Sequence, residues 1–296
     1  MAIVHEFEYF KPEKIEDVIK LLGEYKGKVR LLAGGTDLVV RIKDELESPA
    51  VVIDIKGIEE LKKLEFKEGK LHIGALVTFT DLIDSDIVKK QFPLFWESSK
   101  TIASPGIRNR ATLAGNICSG VPSLDSGPAL LVYEADIIVR GAEGERVIPA
   151  LNWFLGPRRT ALKEEEFVRE IVFSLPAKNH GGSYIKLGRY KGEDLAQVGL
   201  GILALEGNEY RLAFCAVGPV PSRAKKIEAL LNGKPLTDSL LETAKSLVSE
   251  EISPITDVRA TKEYRVHVAK IMLERGIRAA VERIDGNGPA YGERLI

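Results

Sequence analysis

Two glycine-rich stretches carry residue types that could hold a ligand largely by its contacts with main chain. The first, Leu31-Leu32-Ala33-Gly34-Gly35-Thr36-Asp37-Leu38, sets two glycines between an apolar run and a hydroxyl–acid pair. The second runs from Thr101 to Leu131, TIASPGIRNRATLAGNICSGVPSLDSGPALL, and its only charges are Arg108, Arg110 and Asp125. Glycine permits positive φ and close approach, proline fixes φ, and Ser, Thr and Asn add short hydrogen-bonding arms. A helix opening at Thr36 or Asp37 would leave the N–H groups of Gly34, Gly35 and Thr36 without intrahelical partners, which suits an anion such as phosphate. The turn is not a P-loop, since no Lys-Ser or Lys-Thr follows, and it is not GxGxxG. Alone, a Gly-Gly turn before a helix is most often just a tight turn. Two glycine-rich turns about seventy residues apart can clasp a long cofactor between them.

The elements that must position these turns follow from periodicity. Ile15, Val18, Ile19 and Leu22 recur at helical spacing, and Gly23 with Gly27 ends that helix. Val29 to Ala33 reads as a buried strand, Leu38, Val39, Ile42 and Leu46 as a helix, and Ala50 to Ile55 as a second strand, together a βαβ passage. From Ile58 to about Leu175 the pattern becomes α+β, with hairpins expected around Glu68-Gly69 and Glu143-Gly144. Helical stretches are expected over Asp81 to Lys90, Pro93 to Ala103 and Pro128 to Tyr133, the last with Asp125 placed either to cap it or to meet a ligand. After a linker-like KNHGG, the segments YIKLGRY and AQVGLGILALEGNEYRLAFCAVG predict a short antiparallel sheet. Gly199-Leu200-Gly201-Ile202-Leu203-Ala204 imitates a Rossmann turn, but a strand continues where that turn needs a helix, so its glycines point instead to a closely packed neighbour. A long C-terminal helix from Asp257 should turn Tyr264, Val268, Ile271 and Met272 toward one face.

Composition narrows the function classes. The 296 residues suffice for more than one compact unit. The 42 basic and 43 acidic side chains nearly cancel, and no basic run is interleaved with aromatics, which argues against a nucleic-acid partner. No apolar run approaches the roughly 18 residues that span a bilayer, and the N-terminal residues lack a secretory pattern, so a cytoplasmic location is expected. Cys118 and Cys215 are too few for an iron–sulfur cluster or a structural zinc and read as packed thiols. His5, His72, His180 and His267 lack ligand spacing, and no GxSxG or HExxH signature is present.

Taken together, LLAGGTDL, the Thr101–Leu131 stretch, YIKLGRYKGEDLAQV and DVRATKEYRVHVAKIML resemble the FAD-binding medium subunit of the molybdenum hydroxylase family, which includes xanthine dehydrogenase and aerobic carbon monoxide dehydrogenase. The likeness spans nearly the whole chain in order. It implies an α+β fold: a two-part FAD-binding domain of the vanillyl-alcohol-oxidase-like (PCMH) type, residues 1–57 and 58–176, and a small C-terminal domain, residues 177–296, with a short antiparallel sheet and helices. It implies FAD as cofactor, held without a covalent bond, and two partners: a large molybdopterin-binding subunit and a small 2Fe-2S subunit, in a heterotrimer or its dimer. This subunit would pass electrons from the clusters to an external acceptor.

Carried over by residue, the resemblance makes Leu31, Leu32, Ala33, Gly34, Gly35, Thr36, Asp37 and Leu38 the cradle of the FAD pyrophosphate, with Thr112, Leu113, Ala114, Gly115 and Asn116 on its other side. Asp125 matches an acidic cofactor contact, Ile102 would pack near the cofactor, and Ile171 would lie close to the isoalloxazine. Lys186 would sit at the flavin edge, where a cation can stabilise negative charge that develops on reduction. Ala114 departs from the family's Gly-Gly-Asn and fits only if its φ is negative. The alternatives are a stand-alone FAD-dependent oxidoreductase, for which no additional acid or base stands out, and a scaffold that has lost its flavin, in which the two turns should have decayed.

Overall fold

A small parallel sheet centred on the Val-Val-Ile run of residues 51–53 opens the fold. In this computed structural model, which describes residues 3, 5–190 and 193–296, Glu8–Phe10 (β1), Val29–Leu32 (β2) and Val51–Asp54 (β3) form a sheet in the order β1-β3-β2. Lys191 and Gly192, part of the YIKLGRYKGEDLAQV stretch, lie outside the described residues, as do Met1, Ala2 and Val4. Helix Ile15–Glu24 (α1) buries Ile15, Val18 and Leu22 in the same core cluster as Val29, Val51 and Ile53. The next helix, Leu38–Lys43 (α2), is shorter than the apolar spacing predicts: Glu45 turns to φ 56° and leaves Leu46 exposed.

Both expected hairpins are present, Leu64–Lys67 (β4) with Lys70–Gly74 (β5) and Asp136–Gly141 (β6) with Gly144–Pro149 (β7). A small hairpin of Phe154–Gly156 (β8) and Arg159–Thr160 (β9) precedes Phe167–Ser174 (β10). Strand β10 joins the two larger hairpins into one antiparallel sheet, β4-β5-β10-β6-β7, with Ile171 opposite both Ile73 and Ile137. The expected helix over Asp81 to Lys90 is two helices, Phe79–Asp84 (α3) and Asp86–Gln91 (α4), because Ser85 leaves helical geometry and its hydroxyl accepts from the Val88 N–H. Pro93–Lys100 (α5), Pro105–Arg108 (α6), Leu113–Ser119 (α7) and Ser126–Val132 (α8) complete this unit. Helices α6 and α7 lie inside the glycine-rich run, where short length and turn residues mask the helical period. Phe92, Phe95, Tyr133 and Phe173 form its aromatic centre, Phe95 stacked on Phe173 at 4.5 Å between ring centroids.

The third unit is a sheet in chain order: His180–Leu187 (β11), Val198–Leu205 (β12), Glu209–Cys215 (β13) and Ser222–Arg223 (β14). Helices Lys225–Leu231 (α9), Asp238–Glu251 (α10) and Lys262–Ile284 (α11) follow. The residues HGG of the linker-like KNHGG are instead the start of β11, and their glycines serve contact. A Cβ on Gly181 would lie 2.1 Å from the Ala280 carbonyl oxygen on α11, and one on Gly182 would lie 2.8 Å from Leu94 on α5. Likewise, a Cβ on Gly201 of β12 would meet Pro128 of α8 at 2.9 Å. The sheet is therefore held between α11 on one face and α5 with α8 of the second unit on the other, and Gly201 of the false Rossmann turn marks that approach. On α11 the buried face is Val268, Ala269, Met272, Leu273 and Gly276, whereas of the residues expected there Tyr264 is 48% exposed and Ile271 only half-buried.

Gly181→Ala should lower the denaturation midpoint, at a cost of about 1–3 kcal/mol for overpacking against backbone that cannot give way. Gly23→Ala, with no neighbouring atom within 4 Å of its added Cβ, should raise stability by roughly 0.5–1 kcal/mol. Chemical denaturation of the two variants checks the signs; a neutral Gly181→Ala would refute the close-contact account.

Candidate functional site

Main chain meets main chain where the two glycine-rich stretches touch. A Cβ on Gly34 would lie 1.9 Å from the Arg110 carbonyl oxygen and 3.1 Å from Ala111 Cα, so only glycine fits. Gly35 is required for a different reason: its φ of 79° is left-handed, and a Cβ there would press on Leu32 and Val39 of its own turn. Asp37 precedes α2 without capping it by side chain, and its carboxylate accepts from the Ser119 hydroxyl of α7, a second tie between the stretches. Among the described residues, no hydrogen bond outside regular helices and strands takes up the N–H groups of Gly34, Gly35 or Thr36. Those donors are available to an anion.

On the other side, Thr112 caps α7 by accepting from the Gly115 N–H at 3.0 Å, and its backbone bridges to Thr78. Leu113 points into the core and Ala114 is nearly buried, while Gly115 is exposed and Asn116 half-buried. Ala114 is helical, so its methyl group brings no φ strain. The Asn116 side-chain oxygen accepts from the Ser126 hydroxyl at 2.6 Å. Between the stretches lies a cavity of about 360 Å³ whose lining includes Ala33, Gly34, Arg110 and Thr112 together with Lys56 and Lys62. Sequence reasoning missed those two lysines. Lys56 lies two residues past the end of β3, and a cation just beyond the C-terminal end of a parallel strand was the available signal.

The third group forms around Asp125. Its backbone is already helical at the start of α8 and its side chain makes no cap, which removes the capping alternative. Instead the carboxylate accepts from Lys186 Nζ at 2.8 Å and from the Tyr184 hydroxyl at 2.6 Å, and Lys186 Nζ also donates to the Thr101 carbonyl at 2.8 Å. The Asp125 and Lys186 side chains are each 9% exposed. Burial pushes the Asp125 carboxyl up, and the lysine charge and the two donated hydrogen bonds oppose it. Burial and the adjacent carboxylate push the Tyr184 phenol well above its ordinary range, so it acts as a donor. Opposite Lys186 on β12 is Gly199, where a Cβ would stand 2.9 Å from the Tyr184 hydroxyl oxygen and closer still to Cys215. Cys215 is buried, as expected, but Cys118 is exposed on α7.

A second cavity, of about 440 Å³, adjoins this pair and is lined by Thr101, Tyr184 and Lys186 among others. Residues 101–112 link the two spaces, Thr101 lining one and Asn109, Arg110 and Thr112 the other. Ile102, beside Thr101, is 7% exposed, and Arg108 donates to its carbonyl at 2.7 Å. Ile171 is different: it is fully buried at the middle of β10 and lines neither cavity. Free turn donors, flanking lysines and a buried ammonium beside a second space fit an elongated cofactor with an anionic centre, which is what FAD offers.

The fold and this site define a cofactor-binding subunit of α+β architecture. Residues 5–177 match the family described as FAD binding domain in molybdopterin dehydrogenase, and residues 183–280 match the CO dehydrogenase flavoprotein C-terminal domain. The chain is 34% identical over 281 residues to the carbon monoxide dehydrogenase medium chain of Hydrogenophaga pseudoflava, covering 94% of this chain and 98% of that one. It is 31% identical over 284 residues to the xanthine dehydrogenase FAD-binding subunit of Escherichia coli O157:H7, with 94% and 97% covered. It superposes on a solved carbon monoxide dehydrogenase structure from Hydrogenophaga pseudoflava with a TM-score of 0.91 at 34% identity, covering 96% of this chain and 99% of that chain. The chain belongs to the FAD-binding medium subunits of the xanthine dehydrogenase and carbon monoxide dehydrogenase family, and it is an FAD-dependent oxidoreductase subunit. Among the described residues, no helix is long and apolar enough to cross a membrane, and no group of three His, Cys, Asp or Glu side chains is placed to hold a metal ion.

Gly34→Ala should part the two stretches, since backbone on both sides must move. Amide exchange should then quicken in residues 31–38 and in 109–116 together. Faster exchange confined to the first stretch would mean that the contact does not order the second.

Proposed function

We propose that this subunit conveys electrons from the 2Fe-2S clusters of a small partner chain to an external acceptor, beside a large molybdopterin-binding chain, in a heterotrimer or its dimer. Its relatives are named as medium chains and FAD-binding subunits, which supports a place in such an assembly. Two cysteines cannot hold a 2Fe-2S cluster, so a partner must. The observation that carries the reading is the buried Lys186–Asp125 pair beside a cavity, reached along the chain from a main-chain anion cradle.

In this reading the N–H groups of residues 34–36 and the α7 turn at Thr112 to Asn116 hold the FAD diphosphate, with Lys56 and Lys62 adding positive charge. Leu31, Leu113 and Ile171 act through the core, fixing the strands and helix that carry the turns, and Leu32 packs under the Gly35 turn. Ile102 fixes the floor beside Thr101. FAD, when bound, would supply the redox chemistry between the clusters and the acceptor. Asp125 orients the Lys186 ammonium and offsets part of its charge. Tyr184 holds the other oxygen of that carboxylate.

Purified protein reconstituted with excess flavin should take up FAD rather than FMN, and affinity capture from the source cell should recover a 2Fe-2S chain and a molybdopterin chain. Gly35→Val should weaken FAD binding because valine cannot hold the left-handed turn. Colourless protein after reconstitution overturns the proposal, and a yellow protein captured alone returns it to a stand-alone flavoenzyme. The ion pair makes a second, signed expectation. Lys186→Met should lower the flavin midpoint potential and Asp125→Asn should raise it, since one variant removes the cation and the other its counter-charge. A lone charge at 4 Å with effective ε near 20 is worth roughly 4 kcal/mol, and partial cancellation within the pair leaves a change on the order of 1 kcal/mol. Spectroelectrochemical titration at matched FAD occupancy reads both, and shifts of the same sign would place Lys186 away from the flavin.

A further inference from the structure

The second cavity has a wall that neither family match includes. The C-terminal-domain match ends at residue 280, yet the chain continues, and Glu293, Arg294 and Leu295 line the cavity together with Thr101, Tyr184 and Lys186. This segment is fastened at its base by a buried ion pair. Glu97 on α5 and Arg283 on α11 meet at 3.1 Å with side chains 5% and 3% exposed. Glu97 also accepts from the Gly292 N–H at 2.8 Å and from the Tyr184 N–H at 2.9 Å, so one carboxylate holds both the segment and the strand that carries Lys186. Burial pushes the Glu97 carboxyl up, and Arg283 opposes that shift.

Arg283 completes the fastening. It donates to the carbonyls of Pro289 and Ala290 at 2.8 and 3.0 Å, and its guanidinium lies 4.1 Å over the Tyr291 ring. The Tyr291 hydroxyl accepts in turn from the Gly182 N–H at 3.1 Å. Gly292 then turns at φ 90° against the Trp96 ring, where a Cβ would come within 3.3 Å. Beyond the cavity, Arg275 on α11 donates to the Leu295 carbonyl at 3.0 Å. A segment anchored at both ends and facing a cavity is placed to act on what the cavity holds.

We infer that residues 292–296 form a wall of the flavin site in this chain, shielding the cofactor edge at Lys186 from solvent and so restricting which acceptors reach it. The inference rests on the proposed placement of the flavin beside Lys186. It assigns the segment a role in access, with Glu97 and Arg283 as positioning residues that hold the wall and β11 in one frame.

Two variants test it on FAD-loaded protein. Gly292→Val drives a side chain against Trp96 and turns the segment out, while Arg275→Met, on the exposed face of α11, frees only its far end. In both, iodide should quench the FAD emission several-fold more strongly than in the parent, because the cover that a bound ligand normally receives is opened. Addition of FAD to the parent protein should slow amide exchange across 292–296. Equal quenching in parent and in Arg275→Met, or faster exchange of the segment when FAD binds, overturns the inference while leaving FAD binding intact. Failure of the parent to bind FAD overturns the underlying site reading instead. If Gly292→Val does not fold, the Arg275→Met comparison and the exchange measurement still decide.

Discussion

One ammonium group joins the parts of this molecule that must act together. Lys186 belongs to the third sheet, Asp125 to the approach to α8, and Thr101 to the end of α5, and all three meet at hydrogen-bonding distance in a nearly buried space. A buried lysine or aspartate without partners is costly, since each gives up hydration that the interior does not replace. Here each has partners, and Tyr184 takes the remaining carboxylate oxygen. That closure depends on atoms that are missing. Gly182 and Gly201 let α5 and α8 approach the sheet, and Gly199 leaves room for the Cys215–Tyr184 contact between its neighbouring strands, at distances that a Cβ would forbid. The glycines set the spacing, and the spacing makes the ion pair affordable to bury.

The first cavity is governed differently. It sits beyond the C-terminal ends of parallel β2 and β3, the place where open parallel sheets leave turn N–H groups unspent. Its charged lining is Lys56 and Lys62, paired with Asp54 and Glu59, together with Arg110 and Asp81, and its shape comes from the Gly34 contact with Arg110. Neither cavity draws on a single element. The segment 101–112 enters both, so the diphosphate and ring ends of a long cofactor would answer to one stretch of chain.

Much of this is legible in the sequence, because local signals and global fold agree over the parallel βαβ passage, both hairpins and the antiparallel third sheet. The two glycine turns also carried their signal locally. What escaped depends on tertiary partners. Asp125 before a Gly-Pro helix start has the local marks of a cap, and only the position of β11 reveals that its partners are Lys186 and Tyr184. Ser85 splits a helix that apolar spacing alone continues. His180 to Gly182 look like linker because glycine lowers strand propensity, whereas the close helices on both faces supply the stabilisation. Ile171, expected near the ring, lies in a central strand with neighbours on both sides, and its burial there has no local mark in the sequence. Glu97, Arg283 and the segment after α11 gave no motif at all, since a charge pair almost two hundred residues apart has no period.

The contact between Gly34 and Arg110 has a consequence for how such sites diverge over time. On one side the chain is restricted to a single residue type; on the other only backbone atoms of Arg110 and Ala111 take part, so the arginine side chain is irrelevant to the contact. Paired substitution, the statistical trace by which neighbouring residues usually betray each other, needs two side chains that can compensate. Here there is nothing to compensate with. The position that brings the two halves of the cradle together would stand in any collection of related chains as an isolated invariant, silent about its neighbour.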